Sequence, residues 1–98
     1  MICVKMHRGA DGRMVLAACD ESVIGCSYAE GKLRLKVHES FYRDEVVTES
    51  VLLSMMEEAD IMNLVGENTI SLAIGEGYVD EDNVITIDGM VHAQVVKG

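Results

Sequence analysis

The sequence predicts a single α+β domain in which antiparallel strands and two helices share one core. Three observations indicate this class. Residues near both ends of the chain alternate between apolar and polar side chains around short turn sequences, which is typical of β-hairpins. Apolar residues from about Glu49 to Ala59 or Asp60 instead recur at helical spacing. The 98-residue chain has neither proline nor a low-complexity tract that could form a linker, so residues 1–98 are expected to form one domain.

An amino-terminal β-hairpin is the first predicted element. Residues 2–7 alternate apolar with polar or small side chains, and residues 13–19 form a second β-rich run after a Gly-Ala-Asp-Gly turn. We expect Arg8 to oppose Arg13 across that four-residue loop. In this register Cys19 lies on the same buried face as the apolar residues of the first strand.

A third strand is predicted from Lys32 to His38, where the alternation is unusually clean. Its apolar side chains are Leu33, Leu35 and Val37, and its basic side chains are Lys32, Arg34, Lys36 and His38. Such a strand has one buried face and one solvated face. The segment before it, between Gly25 and Gly31, is expected to be an exposed connection.

Two helices are predicted in the middle of the chain. Thr48 is a suitable N-cap for the first helix, because its hydroxyl can accept a hydrogen bond from a free backbone N–H. A second helix is predicted from Gly66 to Gly75, with Gly77 allowing a left-handed exit. Its side chains are nearly all apolar, so we expect the rest of the chain to pack around it. The intervening residues, Ile61–Val65, fit either a buried extended link or a continuing helix.

A carboxy-terminal hairpin is predicted around Asp88-Gly89, because Asp-Gly between two β-rich runs favours a two-residue turn. This turn makes Ile87 oppose Met90 and Ile85 oppose His92. Both faces of the hairpin are largely apolar, so it is expected to be covered on both sides or to lie at an interface.

Composition limits the classes of function. The formal net charge is −9, which argues against a nucleic-acid footprint over the whole surface, although the first 36 residues are slightly basic. An odd number of cysteines, three, favours reduced thiols in a cytoplasm. No apolar run approaches the roughly 18 residues of a membrane span. No motif for a metal or another cofactor occurs, so we expect neither.

Two side chains of the last predicted strand are candidates for chemistry. His92 and Gln94 are two residues apart and therefore lie on one strand face. An imidazole titrates near neutral pH, so His92 is either a ligand contact, a general acid or base, or a structural histidine with a hydrogen-bond partner.

Two further groups are candidate binding residues. Lys32, Arg34 and Lys36 form a basic row that could hold phosphates, or they are a solvated face, since no aromatic residue interleaves with them. Asn63, Gly66 and Glu67 flank the start of the second helix, where free N–H groups could receive an anion. The carboxylate of Glu67 weakens that hypothesis, and helix capping is the favoured role of Asn63.

Several segments together resemble a known family. They are Ser40-Phe41-Tyr42, Asn63-Leu64-Val65-Gly66-Glu67, Ala73-Ile74 with Gly77 and Val79, Asn83-Val84-Ile85, and Gly89 with His92-Ala93-Gln94-Val95. The chain resembles a small archaeal family designated domain of unknown function 424. This resemblance implies a cytoplasmic archaeal protein of single-domain length and implies no catalytic or binding residue. It also offers adaptation to a salt-rich cytoplasm as an explanation of the acidic surface.

The missing catalytic motifs favour a non-enzymatic binding or assembly module. Its partner would be a protein, including a second copy held through the last hairpin, or an RNA or ribosome contacted by the basic row. The alternative is a small enzyme whose site gathers His92, Gln94 and Asn63 with the corner at Gly66 and Glu67. That alternative requires these segments to meet in a pocket.

Overall fold

A six-stranded sheet forms the centre of the computed structural model, which describes all 98 residues. The eight strands of the protein are β1 (Ile2–Arg8), β2 (Met14–Asp20), β3 (Ser27–Glu30), β4 (Leu33–Lys36), β5 (Glu45–Val47), β6 (Ile61–Val65), β7 (Ile85–Ile87) and β8 (Met90–Val96). The large sheet has the order β5-β1-β2-β6-β8-β7, and β3 pairs with β4 in a separate hairpin. Strands β2 and β6 are parallel, whereas all other neighbours are antiparallel.

Three helices accompany the strands: α1 (Glu39–Tyr42), α2 (Glu49–Glu58) and α3 (Glu67–Gly75). Short 3-10 turns lie at Glu21–Val23 and Glu81–Asn83. The α+β class, with hairpins at both ends of the chain, is confirmed. No helix combines the length and hydrophobicity that crossing a membrane requires.

Each face of the large sheet has its own core. Helices α2 and α3 cover what we call the helix face, where Leu16, Leu64 and Ala93 are buried. The β3–β4 hairpin and α1 cover part of the opposite face, which we call the hairpin face, where Ala17 and Val65 are buried. Side chains alternate between these faces along each strand, so β2 and β6 carry apolar side chains on both sides, with Asn63 of β6 as a polar exception.

Two predicted elements have the expected ends and pairing. Helix α2 begins at Glu49, and Thr48 is its N-cap, with the hydroxyl accepting from the backbone N–H of Val51 at 3.4 Å. The β7–β8 register pairs Ile87 with Met90, as the Asp-Gly turn predicted. The two-residue loop fixes this register because only one pairing closes it without strain.

The predicted register of the first hairpin was wrong by one residue. Arg8 pairs with Met14, and Cys19 pairs with Cys3 rather than Ile2. Cys19 is therefore buried on the hairpin face, away from Ile2 and Val4. The loop has five residues, and the N–H of Gly9 closes it by donating to the carbonyl of Arg13 at 2.7 Å.

The segment between Gly25 and Gly31 is largely exposed, as predicted, but it is not a loop, because it contains β3. Strand β3 pairs with β4, which ends at Lys36 and so is shorter than predicted. Of the three apolar residues expected inside, Leu35 and Val37 are buried, but Leu33 is 50% exposed at the end of the hairpin.

The middle of the chain also differs from the prediction. Ile61–Val65 is extended and largely buried, which agrees with the first of the two alternatives, but it is the strand β6, paired on both sides, and not a simple link. Helix α3 begins at Glu67 and lies on one face of the sheet, with Ile70 and Ala73 buried and Ser71 exposed. The centre of the fold is therefore the β2–β6 pair, against which α3 packs. Helix α1 and strand β5 were not predicted.

Candidate functional site

The predicted anion site at the second helix is already filled by a side chain of the protein. Asp20 Oδ2 accepts from the backbone N–H of Asn68 at 3.0 Å, and Asp20 Oδ1 accepts from the N–H and the hydroxyl of Thr69 at 2.9 and 2.7 Å. Gly66 is the N-cap residue, with φ +106°, and its Cα packs against the Asp20 carboxylate. The N–H groups of Asn68 and Thr69, which could have received an anion at this helix start, are thus used inside the fold.

Asn63 does not cap α3, because it lies within β6, three residues before Gly66. Its partner across the strand pair is Gln94, whose Nε2 donates to the Asn63 Oδ1 atom at 2.7 Å. The two amides share the hairpin face with His92. The structure therefore brings Asn63, Gln94 and His92 together and leaves Glu67 on the other side of the sheet, among the residues of α3.

The ring of His92 is fixed by one hydrogen bond. Its Nδ1 atom lies 2.9 Å from the carbonyl oxygen of Leu64, and because a carbonyl only accepts, Nδ1 must carry the proton. In the neutral ring Nε2 is then an acceptor. His92 is only partly buried, so it has a structural partner and retains one nitrogen for another contact.

The hairpin face continues across β1 with two basic side chains. Lys5 Nζ donates to the carbonyl of Ser40 at 2.9 Å. His7 Nε2 lies 2.8 Å from the carbonyl of Phe41, and the two rings stack with centroids 4.5 Å apart. Both contacts are with α1, so this short helix holds the side chains of Lys5 and His7 at the margin of the uncovered part of the sheet.

Two large apolar side chains are also exposed on this face. Ile85 is 50% exposed at the edge of the sheet, and Val96 is 66% exposed at the end of β8. They lie on the hairpin face because Ile85 pairs with His92, and Val96 follows Gln94 by two residues. The last hairpin is therefore not covered on both sides.

The basic row lies on the β3–β4 hairpin, which packs on the same face. Lys32, Arg34 and Lys36 are exposed. Arg34 Nη1 donates to the carbonyls of Gly31 and Leu33, and Lys36 Nζ donates to the carbonyl of Gly25. None of the three basic side chains forms an ion pair, since the two ion pairs of the protein are Arg13–Asp11 and Arg43–Glu39.

The aromatic residue of this hairpin, Tyr28 of β3, lies on the other face from the basic row. Tyr28 pairs with Leu35 and packs against the core of the hairpin face, whereas Arg34 and Lys36 alternate to the opposite face of the hairpin, and the three residues border a hollow of about 220 Å³. No aromatic ring therefore interleaves with the basic side chains. Burial raises the pKa of Tyr28, so its hydroxyl is protonated at neutral pH and can donate a hydrogen bond.

Charge is divided between the two sides of the sheet. Helices α2 and α3 and the second 3-10 turn contain no lysine or arginine. Their carboxylates are Glu49, Glu57, Glu58, Glu67, Glu81 and Asp82, all exposed. Lys97 does contact this side, where its Nζ donates to the carbonyls of Met56 and Glu57 and lies 5.0 Å from the centroid of the Tyr78 ring. The acidic excess is thus concentrated on the helix side, away from the basic row.

The structure provides no enclosed catalytic pocket around His92. Three hollows are present, and His92, Asn63 and Gln94 line none of them. No group of three histidine, cysteine or acidic side chains is arranged to hold a metal ion.

The cysteines are free thiols. Cys3 and Cys19 are fully buried, and burial raises the pKa of Cys19 to about 12. Burial also raises the pKa of Cys3. Both therefore remain protonated at neutral pH, which makes them poor nucleophiles.

The comparisons with known proteins agree with the sequence resemblance. A family model described as "Protein of unknown function (DUF424)" matches residues 7–97. No curated protein matches the chain. The crystal structure of an uncharacterized conserved protein from Methanopyrus kandleri is similar, with a TM-score of 0.77 and 22% sequence identity over 99% of this chain and 93% of that chain. At this identity the similarity shows the fold alone.

Proposed function

Because the chain belongs to the DUF424 family, whose proteins are of unknown function, we propose its role from its surface: a non-enzymatic binding module that holds RNA on the hairpin side of its sheet. The observation that carries this proposal is that the basic row of the β3–β4 hairpin forms no ion pair and lies on the opposite side of the sheet from the acidic helices. A ribosome-associated role would place the protein in the cytoplasm.

The basic side chains of the row are exposed and form no ion pair, which supports phosphate binding. Lys32, Arg34 and Lys36 are exposed and have no carboxylate partner, although the protein has a formal net charge of −9. Phosphate contacts by such cations release counterions from the nucleic acid, which supplies most of the affinity. Binding to RNA would not require breaking any ion pair of the row.

The neighbouring surface supports RNA as the class of nucleic acid. Sheet faces with aromatic or histidine rings and amide side chains can stack and hydrogen-bond the unpaired bases of RNA. The hairpin face offers the His7 ring stacked on Phe41, the His92 ring and the amides of Asn63 and Gln94.

The enzyme alternative has less support. His92, Asn63 and Gln94 share one face, but they line no hollow that could enclose a substrate. Gly66 and Glu67, the other members of that predicted site, are tied to α3 and the helix side. Exposed Ile85 and Val96 support contact with a macromolecule better than contact with a small substrate.

Ribosome cosedimentation and binding to a fluorescent single-stranded RNA test the proposal. The double variant R34A/K36A is expected to lose at least about tenfold in affinity, because each phosphate contact by a cation is a charge-assisted hydrogen bond. The matched control is R8A/R13A, which removes the same charge from the turn of the first hairpin. That control is expected to bind within about twofold of the unchanged protein.

Two outcomes would contradict the proposal. Equal losses in both double variants would indicate a non-specific effect of net charge. Tighter binding to duplex DNA than to single-stranded RNA would assign the row to a different nucleic acid. Unfolding midpoints of all variants should be measured in parallel, since exposed substitutions on β4 are expected to leave stability nearly unchanged.

A further inference from the structure

A second surface lies on the helix side of the sheet, between α3 and the β7–β8 hairpin. One wall of this hollow is a stripe of α3 that includes Glu67, Ile70 and Ile74, spaced at i, i+3 and i+7. The floor includes Thr86 and Val91, which pair across β7 and β8, and Glu81 closes the far side. The hollow has a volume of about 390 Å³, and we call it the acidic groove.

The acidic groove combines apolar walls with unpaired carboxylates. Ile70 is buried and Ile74 and Val91 are half-buried, so aliphatic surface lines its interior. Glu67 and Glu81 are exposed, and neither has an ion pair or a side-chain hydrogen bond within the protein. Glu67 is also not needed to cap α3, because Asp20 accepts from the helix N–H groups.

We propose that the acidic groove binds a lysine- or arginine-rich segment of a protein partner. A lysine side chain has an aliphatic stem that can lie along Ile70 and Ile74, while its ammonium group can reach the carboxylates of Glu67 and Glu81. Charge complementarity favours this occupant, because the helices on this side carry no cation of their own. The inference goes beyond RNA binding and concerns the opposite side of the sheet.

The strand beside the groove favours an extended peptide over a free amine. Strand β7 is the last strand of the large sheet, so no strand pairs with its outer edge. The backbone N–H and C=O groups of such an edge can pair with an added chain, whose alternate side chains then point to the two faces. A segment with lysine at alternate positions would place those side chains toward the groove.

Fluorescence anisotropy of a labelled nine-residue peptide of alternating lysine and alanine tests the proposal on the intact protein. Saturable binding is expected, and E67Q/E81Q should weaken it by about tenfold or more, since hydrogen bonds to charged groups contribute strongly. The matched control E49Q/E58Q removes the same charge from exposed positions of α2 and should change the affinity by less than about twofold. Substituting Ser71 by Phe, which fills the groove, should also weaken binding.

Three results would overturn this inference. Equal weakening by both double variants would mean that only the general negative potential attracts the peptide. If spermidine displaces the labelled peptide as well as unlabelled peptide does at an equal concentration of amino groups, the groove binds free amines and not a peptide. A dimer that forms without peptide and dissociates in E67Q/E81Q would identify a second copy of the chain as the occupant. Unfolding midpoints of the glutamine variants distinguish loss of binding from loss of the fold.

Discussion

The carboxylate of Asp20 accepts two hydrogen bonds from Thr69, one from its backbone N–H at 2.9 Å and one from its hydroxyl at 2.7 Å. Asp20 ends β2, and Thr69 lies in the first turn of α3, so this contact joins the centre of the sheet to a helix distant in sequence. Both side chains are buried, with Asp20 only 7% exposed. A charged acceptor at a helix N-terminus is favoured by the helix dipole as well as by the hydrogen bonds.

Replacing Asp20 with Asn should destabilise the protein by about 1 to 3 kcal/mol, as expected when buried donors lose a charged acceptor. Asp20 accepts through both oxygens, whereas an asparagine presents an NH₂ group to one of the donors. The free energy of unfolding from urea titration measures this effect. D80N, at an exposed position without a side-chain cap bond, is the control and should change stability by less than about 0.5 kcal/mol. Equal stability of the two variants would contradict this prediction.

Substituting Gly66 by Ala should cost about 2 to 4 kcal/mol, for two reasons. Its φ is +106°, which L residues rarely adopt, and an added Cβ would lie 2.5 Å from the Cγ atom of Asp20. Gly77 provides the matched control, because it also has a positive φ, +80°, but open space around its Cα. G77A should therefore destabilise the protein only through the left-handed backbone conformation, by roughly 1 to 2 kcal/mol. If both variants have the same urea midpoint, the contact with Asp20 contributes nothing.

The Asp20–Gly66 contact was not predictable from the sequence, although the local features of each residue were visible. Gly66 follows an apolar run and precedes a helix. This position suggests an unusual backbone conformation at Gly66, but it does not indicate which residue packs against it. The pairing of β2 with β6 brings the two residues together, and it is parallel. Parallel pairing leaves no turn sequence to fix the register, since the two strands are joined by a long connection. Helix capping was consequently assigned to Asn63.

The two terminal hairpins show when local sequence determines pairing. Asp88 and Gly89 both have positive φ, so the two-residue turn they form fixes the β7–β8 register. The first hairpin has a longer loop, and both faces of β1 and β2 are buried, so apolar alternation could not choose between registers one residue apart. The basic row of β4 was predicted because one of its faces is solvated. The neighbouring strand β3 was not predicted because its four residues lack clear alternation.

Alkaline pH should destabilise the fold because of buried acids, of which Cys19 and Tyr42 have the pKa values that are raised furthest and Cys3 adds an effect of the same sign. The pKa of the Cys19 thiol is raised by burial from 9.0 to about 12, and that of the Tyr42 hydroxyl is raised by burial from 10.0 to about 12. Above pH 9 the unfolded chain releases the Cys19 proton while the folded chain retains it, so the free energy of unfolding falls as pH rises. Tyr42 adds to this fall above pH 10. Each group contributes up to about 1.4 kcal/mol per pH unit, and both contributions are lost by about pH 12.

Urea titrations at pH 8, 9, 10 and 11 measure this dependence. C19A is expected to be less stable at every pH but to lose less stability than the unchanged protein between pH 9 and 10, where Tyr42 does not yet contribute. Y42F should show the same loss of stability as the unchanged protein between pH 9 and 10, but a smaller loss between pH 10 and 11. If the free energy of unfolding falls equally with pH in all three proteins, Cys19 and Tyr42 are not the groups that cause the fall.

The salt dependence of RNA binding provides a quantitative test of the basic side chains. If Lys5, Lys32, Arg34 and Lys36 each contact one phosphate, the logarithm of the association constant should fall with the logarithm of salt concentration with a slope of about −3 for single-stranded RNA. R34A/K36A should halve this slope, because two of the four counterion-releasing contacts are removed. His92→Ala should leave the slope unchanged while lowering the affinity, since its ring is expected to hydrogen-bond or stack on a base and not to contact a phosphate. An unchanged slope in R34A/K36A would show that these cations do not contact the RNA, even if the protein binds it.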